Sequence, residues 1–311
     1  MSKIVISEFM DDAAVADLSS DHEVIYDPRF VDDRTALFAH VADAEGLIVR
    51  NRTVVDVGLL DEAPGLVAVG RLGVGMDNID VTACTDRKIA VHPATGANAD
   101  AVAEYVIAAV LTLTRGVFGA SARVVRGEWP RTELSGMEVR GRTMGLLGLG
   151  DIARKVATLS QAMGMDVAAY DPFVSTSDPV WSTVRNVSFE DLLSVSDAIS
   201  LHVPLTDATK NLIGRDEFAS MKDNAVIVNT ARGGIVDEEA LTEALSSGSI
   251  GGAAIDVFET EPLNPDAAAR FDGIPNLILT PHIAGVTEES NRRVSAMVAS
   301  KMRAALAKGG V

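Results

Sequence analysis

The sequence predicts an α/β protein built from two doubly wound parallel-sheet domains, and three observations carry that prediction. Short apolar runs of strand length alternate with helix-like stretches through most of the 311 residues, the order expected of parallel strands joined by crossover helices. A glycine-rich turn, Gly148-Leu149-Gly150-Asp151-Ile152-Ala153, stands near mid-chain directly after an apolar strand-like run and before a helix-like one. Between the two blocks of alternation lies DAVAEYVIAAVLTLTR, whose apolar residues recur at helical spacing. It reads as a long connecting helix.

In chain order, the first block holds strand-like Ile4-Val5-Ile6, Val24-Ile25-Tyr26, Leu47-Ile48-Val49 and Leu66-Val67-Ala68-Val69, with helix-like runs such as Thr35 to Ala44 and Val54 to Leu60. The connecting helix follows Asn98. Beyond the glycine turn come Asp166-Val167-Ala168-Ala169-Tyr170, Ile199-Ser200-Leu201, Val226-Ile227-Val228, Ala253-Ala254-Ile255 and Leu277-Ile278-Leu279, and the tail is helical again from Thr287. The expected division is residues 1–98 plus 286–311 as one domain and 99–285 as the other. A cleft between them is expected, with ligands at the carboxyl ends of the strands.

In a turn of this kind Gly148 permits the tight bend, Gly150 lets backbone approach a pyrophosphate, and Ala153 is small enough for helix-on-strand packing. The helix opening at Asp151 and Ile152 aims unpaired N–H groups and the positive end of its dipole at the phosphates. The pattern alone also fits an ordinary glycine-rich loop. The strand–turn–helix–strand frame favours a dinucleotide, and Asp171 closes the second strand of that frame. A carboxylate there accepts hydrogen bonds from a ribose 2′-hydroxyl and repels a 2′-phosphate, so NAD is the expected cofactor.

Composition narrows the class. The 47% hydrophobic content is that of a globular protein. The single cysteine, Cys84, excludes an intrachain disulfide framework and fits a reducing compartment, as a small buried apolar residue. The opening MSKIVISEFM enters a strand without the apolar core of a signal peptide, and no uninterrupted run approaches a membrane span. A soluble, cytoplasmic protein is expected. The formal charge of −17 argues against nucleic acid or anionic membrane as partners, since both need a basic footprint. Anionic substrates then need a local basic patch. The same acidity fits a halotolerant host, an expectation that a collapse of activity at high salt would contradict. No metal site is expected.

The residues just after the later strands are the candidates for chemistry. Asn229-Thr230-Ala231-Arg232-Gly233-Gly234 sets a guanidinium at a strand end. Its planar fork suits a carboxylate, and a structural salt bridge is the alternative. Asp256-Val257-Phe258-Glu259-Thr260-Glu261-Pro262 puts three carboxylates in one turn, a pattern that solvation alone also explains. Thr280-Pro281-His282-Ile283-Ala284-Gly285 leads a histidine into the final helix. His22 and His40 read as surface residues, whereas His92 and His202 also follow strands, so spacing does not choose His282 over them.

Six segments, in order, carry a family pattern: RLGVGMDNID from Arg71, the turn at Gly148, LHVPLTDATKNLI from Leu201, NTARGGIVDEEAL from Asn229, DVFETEPL from Asp256 and TPHIAG from Thr280. On them the chain resembles the D-2-hydroxyacid dehydrogenase family, the group containing the 3-phosphoglycerate dehydrogenases. The resemblance implies a flavodoxin-like substrate domain, a Rossmann NAD-binding domain, and hydride transfer between a D-type 2-hydroxy acid and its 2-oxo acid. It implies Arg232 as binder of the substrate carboxylate and carbonyl, His282 as general acid and base, and Glu261, the acid before Pro262, as the histidine's partner. Glu259 is left at the surface. As hydride reaches C2 of an oxo acid, the growing alkoxide needs a proton that an imidazolium can give, and a neighbouring carboxylate favours that charged form.

The resemblance also implies that backbone amides around Val74 and Gly75, in the segment that begins at Arg71, hold the substrate carboxylate. A simple turn is the plainer reading of those glycines. Thr230, Ala231 and Asp256 match positions near the nicotinamide, His202, Val203, Pro204 and Thr209 match the wall near the adenosine, and Gly285 joins the cofactor set. Asp151 departs from relatives that carry a basic or neutral side chain beside the pyrophosphate. Its N–H still serves, while its charge weakens binding modestly.

Membership leaves the compound open among lactate-like, glycerate-like, phosphorylated and one-carbon substrates. Glu261 argues against a formate dehydrogenase, where the family has glutamine. The close of the chain soon after its last helix leads to the expectation of no appended regulatory domain and no feedback control by serine. Arg50, Arg52 and Arg71 follow early strands and suit a second anion on the substrate. In LIVRNRTVVD, Arg52 stands where similar phosphoglycerate dehydrogenases usually carry a small residue, although a surface arginine explains it as well. With the opening MSKIVISEFM, this is similar to the 3-sulfolactate dehydrogenases of the family. Conversion of 3-sulfolactate to 3-sulfopyruvate is therefore favoured over 3-phosphoglycerate or glycerate/hydroxypyruvate chemistry. Some relatives are NAD-sensing corepressors, a different class, from which the intact Arg232, Glu261 and His282 set and the acidic surface separate this chain. The family also implies a homodimer joined through nucleotide-domain helices.

Overall fold

The computed structural model describes residues 1–308. In chain order its first part contains β1 (Lys3–Ile6), α1 (Asp12–Ser19), β2 (Glu23–Tyr26), α2 (Arg34–Val41), β3 (Gly46–Val49), α3 (Val57–Asp61), β4 (Ala68–Arg71), α4 (Val81–Asp86) and β5 (Ala90–Pro93). The second part contains α5 (Ala99–Arg115), α6 (Ser121–Val125), β6 (Thr143–Leu147), α7 (Asp151–Ala162), β7 (Asp166–Tyr170), β8 (Arg185–Asn186), α8 (Phe189–Val195), β9 (Ala198–Leu201), α9 (Arg215–Ser220), β10 (Val226–Asn229), α10 (Glu238–Ser247), β11 (Gly252–Ile255), α11 (Pro265–Ala268) and β12 (Leu277–Leu279). The final helix is α12 (Glu288–Lys308). The chain divides into Met1–Asn98 with the stretch from Val286 onward, and Ala99–Gly285.

The first unit is a parallel five-stranded sheet in the order β2-β1-β3-β4-β5. Its side chains alternate between two cores. Leu47, Val49 and Val69 join one, and Ile4, Ile6, Ile48 and Ala68 join the other, as the two-residue period of a strand requires. Helix α12 covers the second core with Val298 and Met302. It lies so close to β4 that a Cβ on Gly70 would stand 2.6 Å from Val298 Cγ1. Aspartates open the helices: Asp11, Asp33, Asp56 and Asp80 each accept a first-turn N–H of α1 to α4 in turn, satisfying donors the helix itself leaves orphaned.

The second unit is a parallel seven-stranded sheet in the order β12-β11-β10-β9-β6-β7-β8. Strand order reverses between β6 and β9, the switch point at which doubly wound sheets bind ligands. Strands β9, β10 and β11 are buried along their whole length, as parallel strands between helical layers must be. Helix α5 buries Val102, Val106, Val110 and Leu113 in the core. Among the described residues no single helix is long and apolar enough to cross a membrane.

Several expectations need correction. Strand β4 begins at Ala68, because Leu66 still belongs to a turn and donates its N–H to the Ala63 carbonyl. Helix α3 begins only at Val57: Val55 pairs instead with Ile79, and Asp56 caps the helix. His92 lies within β5 rather than after it. His22 is not a plain surface residue, since both its ring nitrogens are enclosed, and His40 packs against Phe30 at 5.0 Å.

Candidate active site

Strand β6 ends at Leu147 and α7 opens at Asp151. Gly148 has φ of 88°, and a Cβ there would stand 2.7 Å from the His202 carbonyl oxygen. Backbone and neighbouring strand both exclude a side chain. Gly150 is different: its φ is −78°, and nothing lies within 4 Å of where a Cβ would stand. The fold makes no demand for glycine at 150. Its absent side chain keeps space open before the first N–H groups of α7, where a pyrophosphate is recognised. Ala153 is fully buried in the core beside the turn.

Asp171 follows β7 and accepts the N–H of Leu149 at 2.8 Å and of Phe173 at 2.9 Å. Each carboxylate oxygen keeps a lone pair for a ribose hydroxyl. Arg154 braces the same turn, with Nε donating to the Leu149 carbonyl at 3.1 Å and both Nη atoms held by Asp178 at 3.2 and 2.8 Å. Nothing in the local sequence marks it beyond a basic residue in the helix after a glycine turn. Asp151 is exposed. Burial pulls the His202 imidazole down to about 4, so it is neutral, and its enclosed Nε2 has no hydrogen-bond partner within the protein. Thr230 Oγ1, at the end of β10, is likewise enclosed and unpartnered. The Thr209 hydroxyl donates to the Pro204 carbonyl at 2.6 Å and accepts the Thr206 N–H at 2.8 Å, closing the loop that follows Val203. Buried polar atoms are rarely left unpaired, so the two orphaned atoms, with the open space at Gly150, fit a polar dinucleotide along these strand ends.

Arg232 stands three residues beyond β10. The Asn229 side chain shapes its loop, accepting the Ala231 N–H at 3.0 Å and donating to the Arg232 carbonyl at 2.9 Å. Gly233 is where this loop meets the one after β11: a Cβ there would stand 1.8 Å from the Phe258 carbonyl oxygen. Beyond that contact, Glu261 accepts the Phe258 N–H at 2.9 Å through Oε1, and its Oε2 lies 2.7 Å from His282 Nδ1. Burial alone would raise the Glu261 carboxyl. The His282 and Phe258 hydrogen bonds, with the charges of His282 and Arg232, outweigh it and hold the group below its ordinary value. Glu259 is exposed, and its N–H is held at 2.8 Å by Glu238, whose other oxygen meets Arg270 at 3.2 Å. Glu238 looks in sequence like any acid at a helix start, yet it is 5% exposed.

His282 has φ of 54°, in the left-handed region that residues other than glycine seldom enter. Asp256 holds it there. The His282 N–H donates to the Asp256 carbonyl at 2.8 Å, and the N–H groups of Ile283 and Ala284 donate to its two carboxylate oxygens at 2.8 and 2.9 Å. Asp256 is 1% exposed, and its carboxylate serves this loop. Gly285 ends the second unit. With Nδ1–H directed at Glu261, neutral His282 keeps Nε2 as an acceptor. The pair can therefore take up or release a proton at Nε2 while its second nitrogen stays bonded to a carboxylate.

The remaining candidates belong to the first unit. Glu8, two residues beyond β1 and 5% exposed, gathers the N–H groups of Arg50 at 2.8 Å, Arg52 at 3.2 Å and Thr53 at 2.9 Å. In sequence it is only an acid after a strand. Arg52 is exposed and ion-paired with Asp32. Arg71 is the last residue of β4 rather than a residue after it; its Nη1 lies 1.5 Å from where a Cβ on Gly73 would be and donates to the Leu72 carbonyl at 3.1 Å. Val74 and Gly75 are half-buried in the following loop. Among the described residues no group of three or more His, Cys, Asp or Glu side chains could hold a metal ion.

Residues 107–284 match the family described as D-isomer specific 2-hydroxyacid dehydrogenase, NAD binding domain. The chain is also 52% identical over 307 residues to the (S)-sulfolactate dehydrogenase of Chromohalobacter salexigens, covering 98% of this chain and 99% of that one. The chain belongs to the D-isomer specific 2-hydroxyacid dehydrogenase family. It is 43% identical over 267 residues to the D-3-phosphoglycerate dehydrogenase of Archaeoglobus fulgidus, which covers 86% of this chain but 50% of that longer protein. Among solved structures, D-2-hydroxyisocaproate dehydrogenase matches with a TM-score of 0.87 at 28% identity, over 100% of this chain and 98% of that one. D-lactate dehydrogenase from Aquifex aeolicus, complexed with NAD and lactic acid, matches with a TM-score of 0.82 at 28% identity, over 99% and 96% of the two chains. The protein is an NAD-dependent dehydrogenase, as its motifs and strand pattern led one to expect.

Proposed function

We propose that this dehydrogenase interconverts (S)-3-sulfolactate and 3-sulfopyruvate, with Arg232, Glu261 and His282 as its catalytic residues. The observation that carries the reaction is the 2.7 Å contact between His282 Nδ1 and Glu261, and kinship with the (S)-sulfolactate dehydrogenase supports the substrate. NAD, bound along the Gly148–Gly150 turn with Asp171 at its ribose, supplies the hydride acceptor or donor. In oxidation, His282 Nε2 takes the proton of the C2 hydroxyl, and Glu261 balances the imidazolium charge that results. In reduction His282 returns that proton to the oxygen at C2. Arg232 binds the substrate carboxylate through two parallel hydrogen bonds.

In the first unit we assign contact with the same carboxylate to Arg71, Val74 and Gly75, and contact with a C3 sulfonate to Arg52. Asp32 competes for Arg52, but an exposed ion pair is worth only about 0–1 kcal/mol, so the exchange costs little. The handedness is consistent: sulfur at C3 outranks the carboxylate in naming priority, so (S)-sulfolactate has the spatial arrangement of a D-2-hydroxy acid. Exposed Phe118, Val125 and Trp129, at 66%, 87% and 80%, lie on one segment and support a homodimer that covers them, which sedimentation would detect. The lone thiol of Cys84 supports a cytoplasmic setting.

The test is an initial-rate panel with NAD and NADP against both enantiomers of 3-sulfolactate, 3-phosphoglycerate, glycerate and lactate. The highest kcat/KM is expected for (S)-3-sulfolactate with NAD, and His282→Ala should abolish turnover while NAD still binds. Preference for 3-phosphoglycerate or glycerate would overturn the substrate assignment.

A further inference from the structure

We propose that Tyr105 is a positioning residue for His282, acting from α5 through Thr280 and Asp256; this rests on the reading of His282 as the acid–base group. The Tyr105 hydroxyl lies 2.6 Å from Thr280 Oγ1, and Thr280 Oγ1 lies 2.6 Å from Asp256 Oδ1. The directions follow from donor chemistry. Asp256 already receives the N–H groups of Ile283 and Ala284, so the carboxylate acts as acceptor throughout. The Thr280 proton therefore points to Asp256, and Tyr105 donates to Thr280. Burial raises the Tyr105 phenol above its ordinary value, the Thr280 bond opposing and the Asp256 charge adding to the rise. The phenol keeps the proton it donates.

Each link removes one rotation. Left alone, the Thr280 hydroxyl has three staggered positions and the Asp256 carboxylate a broad torsion. With Tyr105 bonded, Thr280 is aimed at Asp256, and the Asp256 carboxylate is fixed where it grips the N–H groups of Ile283 and Ala284, directly after His282, while the Asp256 main-chain carbonyl accepts the N–H of His282 itself. The anchor is a helix of 17 residues with its apolar side buried. Tyr105 is partly buried against the same core, and such shielding strengthens hydrogen bonds. A residue that only packed there would not need its hydroxyl.

Tyr105→Phe separates the two roles, because the ring stays and the donor goes. With the best hydroxy acid of the substrate panel, kcat should fall about tenfold, since loss of sub-ångström alignment weakens proton transfer. NAD dissociation, read by fluorescence titration, and the melting temperature should stay unchanged. Thr280→Val should reproduce the loss and Thr280→Ser should restore activity, and Tyr105→Phe/Thr280→Val should be no slower than the slower single variant, because one chain is broken twice. A wild-type kcat in Tyr105→Phe, or multiplying losses in the double variant, overturns the inference. Should Tyr105→Phe fail to fold, Thr280→Val and Thr280→Ser read the same link, and equal rates in those two overturn it. His282→Asn is measured in parallel. If it retains turnover, the acid–base reading itself falls; if it is inactive while Tyr105→Phe runs at the wild-type rate, only the positioning role falls.

Discussion

Replacing Gly150 with alanine separates what the fold needs from what the cofactor needs. The backbone there, at φ −78° and ψ −166°, is open to any residue, and an added Cβ meets no atom within 4 Å. Helix capping changes by at most about 1 kcal/mol in such an exchange, so the melting temperature should move by only a few degrees. A pyrophosphate oxygen, however, must come to within roughly 3 Å of the N–H groups behind that Cβ to bond them. The new methyl group pushes it back and weakens one or two charge-assisted bonds, each worth about 1.5–3 kcal/mol. NAD affinity should therefore fall by roughly ten- to several-hundredfold, with KM for the hydroxy acid unchanged at saturating NAD. Calorimetric or fluorescence titration with NAD, beside a thermal melt, reads both quantities. A Gly150→Ala protein that binds NAD like its parent refutes the reasoning, and so does one that unfolds many degrees earlier. Gly148→Ala is the contrasting control, since its φ of 88° and the His202 carbonyl at 2.7 Å make it costly to folding itself.

Gly233→Ala should be damaging in a different way: the 1.8 Å approach to the Phe258 carbonyl forces the Arg232 and Glu261 loops apart, at about 1–3 kcal/mol of stability and roughly a hundredfold in kcat/KM; near-native activity would show that these loops slide freely. The Glu261 carboxyl is held below its ordinary value, so its contribution to stability is complete above the unfolded value of about 4.3 and disappears as acid titrates the folded group. In Glu261→Gln the acid-side decline of melting temperature should accordingly be shallower than in the parent, and parallel curves would contradict the assignment. Arg52→Ala should raise KM for 3-sulfolactate far more than for lactate or glycerate, and an equal rise for all would remove Arg52 from the substrate site.

Burial on two sides leaves a continuous apolar run such as Val226-Ile227-Val228, and the edge strands β2 and β12 keep enough apolar residues, Val24-Ile25-Tyr26 and Leu277-Ile278-Leu279, to be legible as well. The other two edge strands lack that imprint. β5 is exposed or half-exposed throughout and β8 is two exposed residues, so neither stands out from the loops around it. In the site, the residue types that do the chemistry, Arg232, Glu261 and His282, were visible because they follow strands and belong to motifs. Their supports were not. Glu8 reaches residues 50–53, Asp256 reaches residues 282–284, and Tyr105 meets Thr280 across 175 positions; such partners are set by sheet order, which local pattern does not encode. Gly148 and Gly150, given different roles from their places in the turn, also differ in the fold: backbone geometry requires the first glycine, and nothing in the fold requires the second.

The excess of acid, a formal charge of −17, is compatible with the proposed anionic substrate because of where the acids are placed. Asp11, Asp33, Asp56, Asp80 and Asp237 lie at helix starts and accept backbone N–H groups there, where the helix dipole offsets negative charge. Acids beyond the strands are similarly engaged: in the first unit Glu8 by the N–H groups of its loop, and in the second Asp256 by two N–H groups and a hydroxyl and Glu261 by an N–H and an imidazole. A carboxylate so surrounded projects little negative potential. Net charge governs how the protein behaves as a colloid; the field a small anion meets at close range is set by which charges are already answered. An acidic dehydrogenase is thus able to receive a hydroxy acid with two negative groups, provided that each acid near the strand ends stays bonded. Breaking one such bond, as Glu8→Gln would, should then weaken binding of a dianionic acid through loss of loop order rather than strengthen it through loss of charge.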